Sequence, residues 1–415
     1  MRSLILATTL LLAACGGQEE SSRAVPTLAT AEAAAPVGAP VPTGPPEAAG
    51  QTPAFPGQTR APEIPAGADV QVATFARGLS HPWGMAFLPD GGLLVTERPG
   101  RLRRVDKDGA VSEAIAGVPK VATGGQLGLF DVALDPDFAG NRLVYLAYSA
   151  PAEGGSALTV ARGRLSEDAA RLDGVQVIFR AVPAESGTAN IGGRLVFAPD
   201  GKLFVTVGDR FSTRDLAQRL DNDLGKVVRI NPDGSIPNDN PFADRPGARP
   251  EIFSYGHRNP QAAALHPRTG KLWIVEHGAR GGDEINVVEA GRNYGWPVIT
   301  YGEDYSGDPI GQGITQKTGM EQPLYYWDPV IAPSGMAFYG ADLFPAWRGS
   351  LFVGGLRAQS LVRLELDGGK VTGEARLLKD VGDRIRDVAV GPDGALYVAT
   401  DEGNGRILKL TPKGR

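Results

Sequence analysis

From about residue 66 onward, hydrophobic and polar residues repeat in one arrangement. An apolar run of strand length is followed by a turn built on Pro-Asp-Gly or a relative of it, and then by a second apolar run. Because proline fixes φ while Asp and Gly complete the turn, each copy predicts a β-hairpin. The six copies lie at 84–98, 131–149, 194–209, 262–278, 335–355 and 386–402.

Repeats of roughly 50 residues with about four strands each are typical of propeller blades. Six copies therefore predict an all-β, six-bladed β-propeller over residues 65–415. A β-helix needs shorter repeats, and a sandwich would not repeat so often. Closing the ring requires the first and last strands to pair, so we expect 70–79 and 405–412 to share a blade. The longest inserts, within 209–250 and 279–334, predict long loops on one face, where binding and catalysis concentrate.

The N-terminal part of the chain has a different composition. Residues 1–15 carry an Arg, a short apolar run and then Leu-Ala-Ala-Cys, which predicts a secretory signal too short to span a membrane. Its end resembles a bacterial lipobox, which predicts lipidation of Cys15 and a cell-envelope protein on the outer membrane facing the periplasm. The alternative is an ordinary signal peptide. Residues 16–64, rich in Ala, Pro and Gly, predict a disordered tether.

Charge narrows the range of partners. The chain has 42 Lys and Arg against 47 Asp and Glu, a formal net charge of −5. No basic footprint for a nucleic acid is visible in such a balance. Any contact with a membrane is therefore expected only through the lipid anchor.

The densest chemistry lies in residues 251–297. Gly281 and Gly282 free the backbone to bend around a ligand, and Asp283 and Glu284 follow as hard oxygen ligands. Carboxylates beside Gly-rich backbone suit Ca²⁺, which takes carboxylate and carbonyl oxygens. In the same stretch, Arg258 and the neighbouring Asn suit a planar anionic cofactor, because a guanidinium group binds carboxylates bidentately. The alternative is a Gly-rich turn with a structural salt bridge.

Longer motifs carry a family resemblance. The chain resembles the soluble, PQQ-dependent sugar dehydrogenases of the glucose/sorbosone dehydrogenase family over essentially all of 66–412. The motifs, in the family's order, are LSHPWGMAFLPDGGLLVTER, GGQLGLFDVALDPDF, GGRLVFAPDGKLFVTVGD, GKVVRINPDGSIPNDNPF, YGHRNPQ, EHGARGGDEIN, NYGWP and RIRDVAVGPDG.

The resemblance implies a six-bladed propeller that holds PQQ in a polar cleft on one face. The implied cofactor-binding residues are Gln126, Arg258, Asn259, Arg357, Arg384 and Arg386. Arg357 stands where the family usually has Lys, which keeps the charge but changes the donor geometry. The alternative is that these arginines pair with rim carboxylates: Asp209, Asp283, Asp383 or Asp387.

The resemblance also implies calcium. The carbonyls of Gly278 and Ala279 match ligands of the Ca²⁺ that polarises PQQ. Ala279 replaces a frequent Pro, but ligation by a carbonyl needs no particular side chain. Asp283, Glu284 and Tyr294 match a second, structural Ca²⁺ region.

One position departs from the family. Its general base is a His, and Asn190 stands in that place. An imidazole accepts a proton near neutral pH and an amide does not. Three possibilities stay open from sequence. A carboxylate such as Asp209 or Glu185 acts as the general base, or His257 or His277 from a neighbouring blade does. Alternatively, the protein binds PQQ or a sugar without efficient turnover.

The implied function is oxidation of an aldose sugar at its anomeric carbon to a lactone. Asn190 and Arg258 are the residues assigned to the catalytic position. The sequence has no CxxCH haem motif, so an external electron acceptor is expected. The alternatives are a sugar-, PQQ- or protein-binding propeller and a metal-dependent lactonase; the arginine set argues against the lactonase.

Overall fold

The computed structural model describes residues 38–414, and the predicted all-β, six-bladed propeller is confirmed. Each blade is a four-stranded antiparallel sheet. Strand β1 (Val70–Leu79) opens the described propeller. The first three blades follow as β2 Pro82–Phe87, β3 Leu93–Glu97, β4 Arg101–Val105 and β5 Val111–Ala114; β6 Leu129–Leu134, β7 Leu143–Ala152, β8 Gly155–Leu165 and β9 Leu172–Arg180; and β10 Gly192–Phe197, β11 Leu203–Val207, β12 Lys226–Ile230 and β13 Ile252–Tyr255.

The remaining blades complete the ring. They are β14 Pro260–Leu265, β15 Leu272–Glu276, β16 Asp283–Val288 and β17 Tyr325–Trp327; β18 Pro333–Phe338, β19 Leu351–Gly355, β20 Ser360–Asp367 and β21 Lys370–Leu377; and β22 Ile385–Val390, β23 Leu396–Thr400 and β24 Gly405–Pro412 with β1 outside it. Helix is confined to α1 (Phe138–Asn141) and two 3₁₀ turns, Arg214–Gln218 and Pro345–Trp347, within the described chain.

The ring closes as the sequence predicts. Strands β1 and β24 pair antiparallel, with Val70 opposite Pro412 and Arg77 opposite Arg406. The last blade therefore takes its outermost strand from the start of the propeller. This pairing removes the free edges that an open array of blades would expose.

The Pro-Asp-Gly turns form by local chemistry. In the first blade, the Asp90 carboxylate accepts the N–H of Gly92 at 2.9 Å, and Gly91 has φ 84°. The Leu88 N–H donates to the Gly92 carbonyl across the same turn at 2.7 Å. The copy built on Pro345 is longer, because its proline opens a 3₁₀ turn between β18 and β19.

The hydrophobic core lies between the blades. Six larger clusters of buried side chains occur in the described residues, one at each junction between neighbouring blades. At the closing junction, Leu79 of β1 packs with Met85 and Val95 of the first blade and with Tyr397 of the last. Burying an aliphatic side chain fully contributes about 1.5–3 kcal/mol, so these junctions hold the ring together.

An ion triad lies among the innermost strands. The Arg194 guanidinium lies 3.1 Å from a carboxylate oxygen of Asp131 and 3.1 Å from one of Asp387, and all three side chains are buried. Burial raises the pKa of Asp387 to about 6. Gly84 and Gly335 lie against these two aspartates, where a Cβ atom would collide with the carboxylate.

Residues 38–64 differ from the predicted disordered tether. This segment, here called the strap, packs on the fourth and fifth blades. Its Ala48 and Gln58 are buried, and the Gln58 amide donates to the Pro323 carbonyl at 2.9 Å. An isolated β-bridge joins Thr59 to Tyr326 of β17. A few polar anchors and small apolar residues dock the segment, and composition does not reveal such contacts.

Cys15 and the rest of the predicted signal peptide and tether up to residue 37 lie outside the described residues. Between residues 38 and 414 no helix has both the length and the apolar character needed to cross a membrane.

Candidate cofactor and active site

Several predicted site residues from the second, third and fourth blades lie together. The Asn190 backbone N–H donates to the Gln126 side-chain carbonyl at 2.8 Å. Two residues later the Gly192 N–H donates to the Asn259 side-chain oxygen at 3.0 Å. The Asn190 amide in turn donates to the Asp209 carboxylate at 2.9 Å. The predicted grouping of Gln126, Asn190 and Asn259 is thus present as a bonded network.

Arg258 extends this network. Its backbone N–H donates to the Glu276 carboxylate at 2.7 Å, which fixes the start of β14. Its guanidinium lies over the Trp296 ring at 5.2 Å and donates to the His277 carbonyl at 3.3 Å and to the Tyr305 hydroxyl at 3.4 Å. The side-chain Nε has no hydrogen-bond partner among the described residues. The Arg258 charge is therefore buried without a bonded carboxylate.

His277 shows that three of the predicted arginines share one site. Burial and then the positive charges of Arg258, Arg386 and Arg384 lower the pKa of His277 to about 3. Its buried Nε2 also has no partner within residues 38–414. The neutral imidazole thus lies within electrostatic reach of three guanidinium groups, which the fourth and sixth blades contribute.

Arg386 and Arg384 are partly compensated by Asp401. The Arg386 guanidinium donates to Asp401 at 2.6 Å and to the Gln261 side chain at 2.8 Å, and Arg384 lies 3.8 Å from the same carboxylate. Although burial alone raises the pKa of Asp401, the Arg386 charge, its hydrogen bond and His81 hold that pKa well below its usual range. The compensating residue is Asp401, and none of the four rim carboxylates considered from sequence takes this role.

Arg357 is placed differently. Its side chain is 56% exposed and donates to the Glu47 carboxylate of the strap at 2.5 Å. Glu47 also accepts the Val330 N–H at 3.1 Å. Among the described residues, the neighbour of Arg357, Leu356, provides the link to the other arginines. Its carbonyl accepts a hydrogen bond from Arg384 at 3.5 Å.

His257 is committed to the scaffold. One ring nitrogen lies 3.0 Å from the Glu276 carboxylate, the other 2.8 Å from the Ser254 hydroxyl, and the ring stacks on Tyr294 at 4.7 Å. Both nitrogens are therefore occupied. The prediction that His257 could act as a base receives no support from this geometry.

The acidic residues of the predicted second calcium region are also largely engaged. One Asp283 oxygen accepts the Gly278 N–H and the other accepts the Ile331 and Ala332 N–H groups, all at 2.8 Å. Burial raises the pKa of Asp283 to about 7. Three backbone donors thus use this carboxylate to hold two loops together.

Tyr294 and Glu284 likewise bond within the protein. The Tyr294 hydroxyl donates to the Val287 carbonyl at 2.6 Å and accepts the Glu289 N–H at 2.8 Å, and Glu284 accepts from Asn286 at 3.2 Å. No group of three or more His, Cys, Asp or Glu side chains in the described part of the chain is arranged for a metal. The second calcium region at Asp283, Glu284 and Tyr294 stays a prediction.

The backbone around Gly278 fits a cation better. The turn is so tight that a Cβ on Gly278 would collide with the carbonyl oxygens of Gly281 and Gly282. Ala279 bridges to Gly281 and is buried. Backbone carbonyls on a Gly-rich turn are oxygen donors that Ca²⁺ accepts, and the Gly278 and Ala279 carbonyls stay its predicted ligands.

Sequence reasoning missed three residues that shape the site: Glu276, Asp401 and Glu47. Glu276 precedes His277 directly in the EHGARGGDEIN motif, which is a signal that could have found it. Asp401 follows the end of β23, and only the pairing of strands brings it to Arg386. Glu47 lies in a segment whose composition predicts disorder.

A protein-family comparison decides the class of this propeller. The Glucose / Sorbosone dehydrogenase family model matches residues 79–409. The chain belongs to the glucose/sorbosone dehydrogenase family. The resemblance seen in the sequence is therefore confirmed, and the expectation of a sugar-dehydrogenase oxidoreductase is confirmed at the level of this family.

Individual relatives within the family are close. The chain is 47% identical over 349 residues, 83% of this chain and 94% of the relative, to the aldose sugar dehydrogenase YliI of Escherichia coli. The apo crystal structure of the soluble aldose sugar dehydrogenase of Escherichia coli superposes with TM-score 0.81 at 46% identity, covering 83% of this chain and 100% of that one. The PQQ-bound aldose sugar dehydrogenase of Streptomyces coelicolor gives TM-score 0.68 at 32% identity, covering 83% and 98%.

Proposed function

We propose that this protein is a PQQ-dependent dehydrogenase that oxidises aldose sugars at the anomeric carbon to lactones and passes the electrons to an external acceptor. The observation that carries the proposal is that the buried Arg258 and Arg386 guanidinium groups each have an Nε without a partner among the described residues, while Arg384 and Arg386 share one carboxylate, Asp401. The names of the Escherichia coli and Streptomyces relatives support the substrate class and the cofactor.

The residues present fit such a cofactor. PQQ is a planar tricarboxylate, and the buried Nε atoms of Arg258 and Arg386 and Nε2 of His277 have no partner within the described protein. Unpartnered buried guanidinium N–H groups are costly, so an anionic ligand that accepts from Arg258 and Arg386 is favoured. Each hydrogen bond to a charged group contributes about 1.5–3 kcal/mol. Arg258, Arg384 and Arg386 would hold the carboxylates.

When bound, PQQ supplies the oxidant that takes a hydride from the sugar, and Ca²⁺ held by the Gly278 and Ala279 carbonyls would polarise it. The chain's own residues do the positioning. Gln126 and Asn259 are each fixed by a backbone N–H from the segment that carries Asn190. Such second contacts hold polar side chains in one orientation, which favours a defined pose of the substrate.

Loss of the sugar's hydroxyl proton is the weak step. The Asn190 amide donates to Asp209, which leaves its side-chain carbonyl as an acceptor of a hydrogen bond but not of a proton. Asp209 is the ionisable group bonded to Asn190, and burial raises its pKa. Its oxygens already accept from Asn190, Phe211 and Trp296. We therefore propose slow turnover with Asp209 as the proton acceptor.

The lack of a free proton acceptor beside Asn190 supports a second candidate function. A propeller that binds PQQ or a sugar with little turnover needs the arginines and the network around Gln126, but it needs no base. The engagement of both His257 nitrogens and of the Asp209 carboxylate by neighbouring protein groups favours this alternative. The two functions share the cofactor site and differ in rate.

Reconstitution separates the two functions. The full chain is mixed with PQQ and Ca²⁺, the quinone absorbance is followed, and dye reduction is measured on a panel of aldoses for wild type, Asn190→His and Asp209→Asn. A positioned general base typically contributes about 100- to 10,000-fold, so we expect a gain of that order in kcat for Asn190→His. Asp209→Asn should abolish residual turnover but leave PQQ uptake intact.

Two results would decide against catalysis. Dye reduction that stays at background in both wild type and Asn190→His, with normal PQQ uptake, favours the binding propeller. No uptake of PQQ by either protein removes the cofactor assignment itself.

We also propose that Cys15 is lipidated and anchors the protein in the cell envelope, on the outer membrane facing the periplasm. The support is the lipobox-like sequence ending at Cys15. Labelling with a radioactive fatty acid should mark the wild type and not Cys15→Ala. Equal labelling of both proteins would contradict the anchor.

A further inference from the structure

Arginines are concentrated on one side of the cofactor site, where the sixth blade meets the first. The surface formed by the segments 77–81, 97–103, 379–386 and 401–406 is here called the arginine rim. These segments carry eight Lys and Arg side chains against five Asp and Glu, although the whole chain has a formal net charge of −5. The basic residues are Arg77, Arg98, Arg101, Arg103, Lys379, Arg384, Arg386 and Arg406, and the acidic ones are Glu97, Asp380, Asp383, Asp401 and Glu402. The charge of the rim is therefore opposite in sign to that of the protein.

Close contacts join the four segments into one surface. The Arg98 backbone N–H donates to the His81 carbonyl at 3.0 Å, and the His81 ring lies 3.0 Å from the Asp401 carboxylate. The Arg406 guanidinium pairs with Asp383 at 2.6 Å. Each segment thus contacts the next around the junction of the two blades.

The guanidinium groups of the rim face solvent more than the carboxylates that pair with them. The Arg101 side chain is 44% exposed, whereas its partner Glu97 is fully buried. The Arg384 side chain is 45% exposed, and that of Asp401 is 7% exposed. Arg77 is also exposed, and it forms no ion pair within residues 38–414. An approaching molecule therefore meets positive charge first.

The fold does not neutralise all of this charge itself. Arg77 of β1 lies directly opposite Arg406 of β24 in the strand register. Like charges at directly opposed positions destabilise a pair of strands. The Arg98 guanidinium donates to the uncharged Gly125 carbonyl at 2.9 Å, and it too has no ion pair in the described part of the chain. Guanidinium groups without a carboxylate of their own are thus available to an outside partner.

The rim extends from the cofactor site to the outer edge of the sixth blade. Arg386 lies on the innermost strand β22 and Arg77 on the outermost strand β1, in the order β1-β24-β23-β22. Three strand spacings separate these strands, roughly 14 Å. A small anion would cover part of such a surface, whereas a folded protein covers all of it. Arginine is enriched in protein interfaces and binds carboxylates bidentately.

We propose that the arginine rim docks an acidic electron-carrier protein, the external acceptor of the proposed oxidation. This inference rests on the proposed function for the source of the electrons. Conversion of an aldose to its lactone breaks the C–H and O–H bonds at the anomeric carbon and releases two electrons and two protons. Two one-electron carriers take the electrons in turn, and the protons pass to water. A carrier on the rim lies beside Arg384 and Arg386, which would hold the cofactor.

The test uses one carrier with two surface charges. Native cytochrome c has a basic surface, and succinylation of its lysines makes the same protein acidic. Holoenzyme is assayed with glucose and each form at low ionic strength for wild type, Arg77→Glu and the matched control Arg164→Glu. Arg164 is also an exposed strand arginine without an ion pair in the described residues, but it lies at the end of the second blade remote from Gln126.

Reversal of the charge at residue 77 should weaken capture of the acidic carrier. The expected result is a rise of about tenfold in KM for succinylated cytochrome c in Arg77→Glu, with little change in Arg164→Glu. The KM for native cytochrome c should fall in Arg77→Glu, because a repulsion is removed. High salt should reduce both differences, since it screens exposed charges. Because Glu at residue 77 would face Arg406 across the strands, the variant should fold normally.

A second readout does not need turnover. Binding of oxidised succinylated cytochrome c to the full chain without PQQ is measured by microscale thermophoresis. The Kd should rise by a similar factor in Arg77→Glu and stay near the wild-type value in Arg164→Glu. If PQQ is never taken up, this result still upholds the rim as a docking surface for an acidic protein while the proposed oxidation fails.

Three outcomes would overturn the proposal. Tighter binding of native than of succinylated cytochrome c by wild type would show that the net negative charge of the chain outweighs the rim. Equal changes in Arg77→Glu and Arg164→Glu would show an effect of total charge alone. An unchanged KM and Kd for succinylated cytochrome c in Arg77→Glu would show that the carrier does not contact the rim.

Discussion

Arg194 and Arg258 are both buried near the innermost strands, with 7% and 5% of their surfaces exposed, yet their surroundings differ. Arg194 lies 3.1 Å from each of two carboxylates, Asp131 and Asp387. Among the described residues, the Arg258 guanidinium donates only to the uncharged His277 carbonyl and Tyr305 hydroxyl, and it lies over the Trp296 ring. The first guanidinium is compensated inside the fold, whereas the second keeps a charge that an anionic ligand can neutralise.

This contrast distinguishes an arginine that stabilises the fold from one that is available to bind a ligand. A buried charge costs free energy unless it is paired, so an unpaired one that the fold retains points to a binding partner. Arg386 and Arg384 are intermediate, because they share Asp401. Arg357 is paired at the surface with the strap. The extent to which carboxylates neutralise each guanidinium group thus separates structural arginines, such as Arg194, from candidates for cofactor binding, such as Arg258.

The largest expected change in the free energy of unfolding distinguishes Arg194 from Arg258. Arg194→Met leaves Asp131 and Asp387 buried without a counter-charge, and breaking a buried ion pair in this way costs about 3–5 kcal/mol. Arg258→Met removes a guanidinium that forms no ion pair within the described residues. Burial raises the pKa of Asp209 and of Asp283, and the Arg258 charge lowers both, so the free energy of unfolding should fall by less than in Arg194→Met. Urea unfolding of the three proteins checks this. Equal destabilisation by both variants would abolish the distinction.

Asp401→Asn tests the intermediate case. Removing this carboxylate leaves Arg386 without a charged partner, and we expect a loss of about 1.5–3 kcal/mol in the free energy of unfolding at pH 7. Because the folded-state pKa of Asp401 is lowered, its stabilisation is complete above the unfolded pKa of about 4 and is lost as the pH falls further.

The difference between wild type and Asp401→Asn should therefore narrow below pH 4. Urea unfolding at pH 7 and at pH 3 measures it. A difference that is the same at both pH values would show that the Asp401 charge does not compensate Arg386.

Glu47→Gln has the smallest expected effect. The Glu47–Arg357 pair is partly exposed, so losing it should lower the free energy of unfolding by less than about 1 kcal/mol. Release of Arg357 should also tighten PQQ binding a few-fold, because one more guanidinium becomes available. Thermal unfolding and cofactor titration measure the two effects, with Glu113→Gln at an exposed position of β5 as a control. Weaker cofactor binding in Glu47→Gln would show that the strap holds Arg357 in its binding position.

Much of the fold follows from the sequence because its signals are local. A Pro-Asp-Gly turn such as that at Pro89 sets its own hairpin, and six of them count the blades. The pairing of 70–79 with 405–412 follows from the need to close the ring. The docking of the strap cannot be predicted from the sequence, because it depends on single contacts such as those of Gln58 with a loop distant in the chain.

The site is predicted in its membership more than in its electrostatics. The motifs predict that Gln126, Asn190 and Asn259 share one region, and hydrogen bonds join the three residues, each of which lies just before the first strand of its blade. The motifs do not show that Asp401 compensates Arg386 or that His257 has both nitrogens occupied. Those facts depend on strand register and on buried distances that appear only when the blades are packed.

Cofactor affinity tests the central claim most directly. The full chain is titrated with PQQ in the presence of Ca²⁺ by calorimetry for wild type, Arg258→Met and the exposed control Arg171→Met, whose side chain pairs with Asp173 of β9 in the second blade. The account predicts saturable binding to one site in wild type and Arg171→Met, and affinity at least about tenfold weaker in Arg258→Met. Binding of equal affinity in all three proteins, or no saturable binding in wild type, would contradict it.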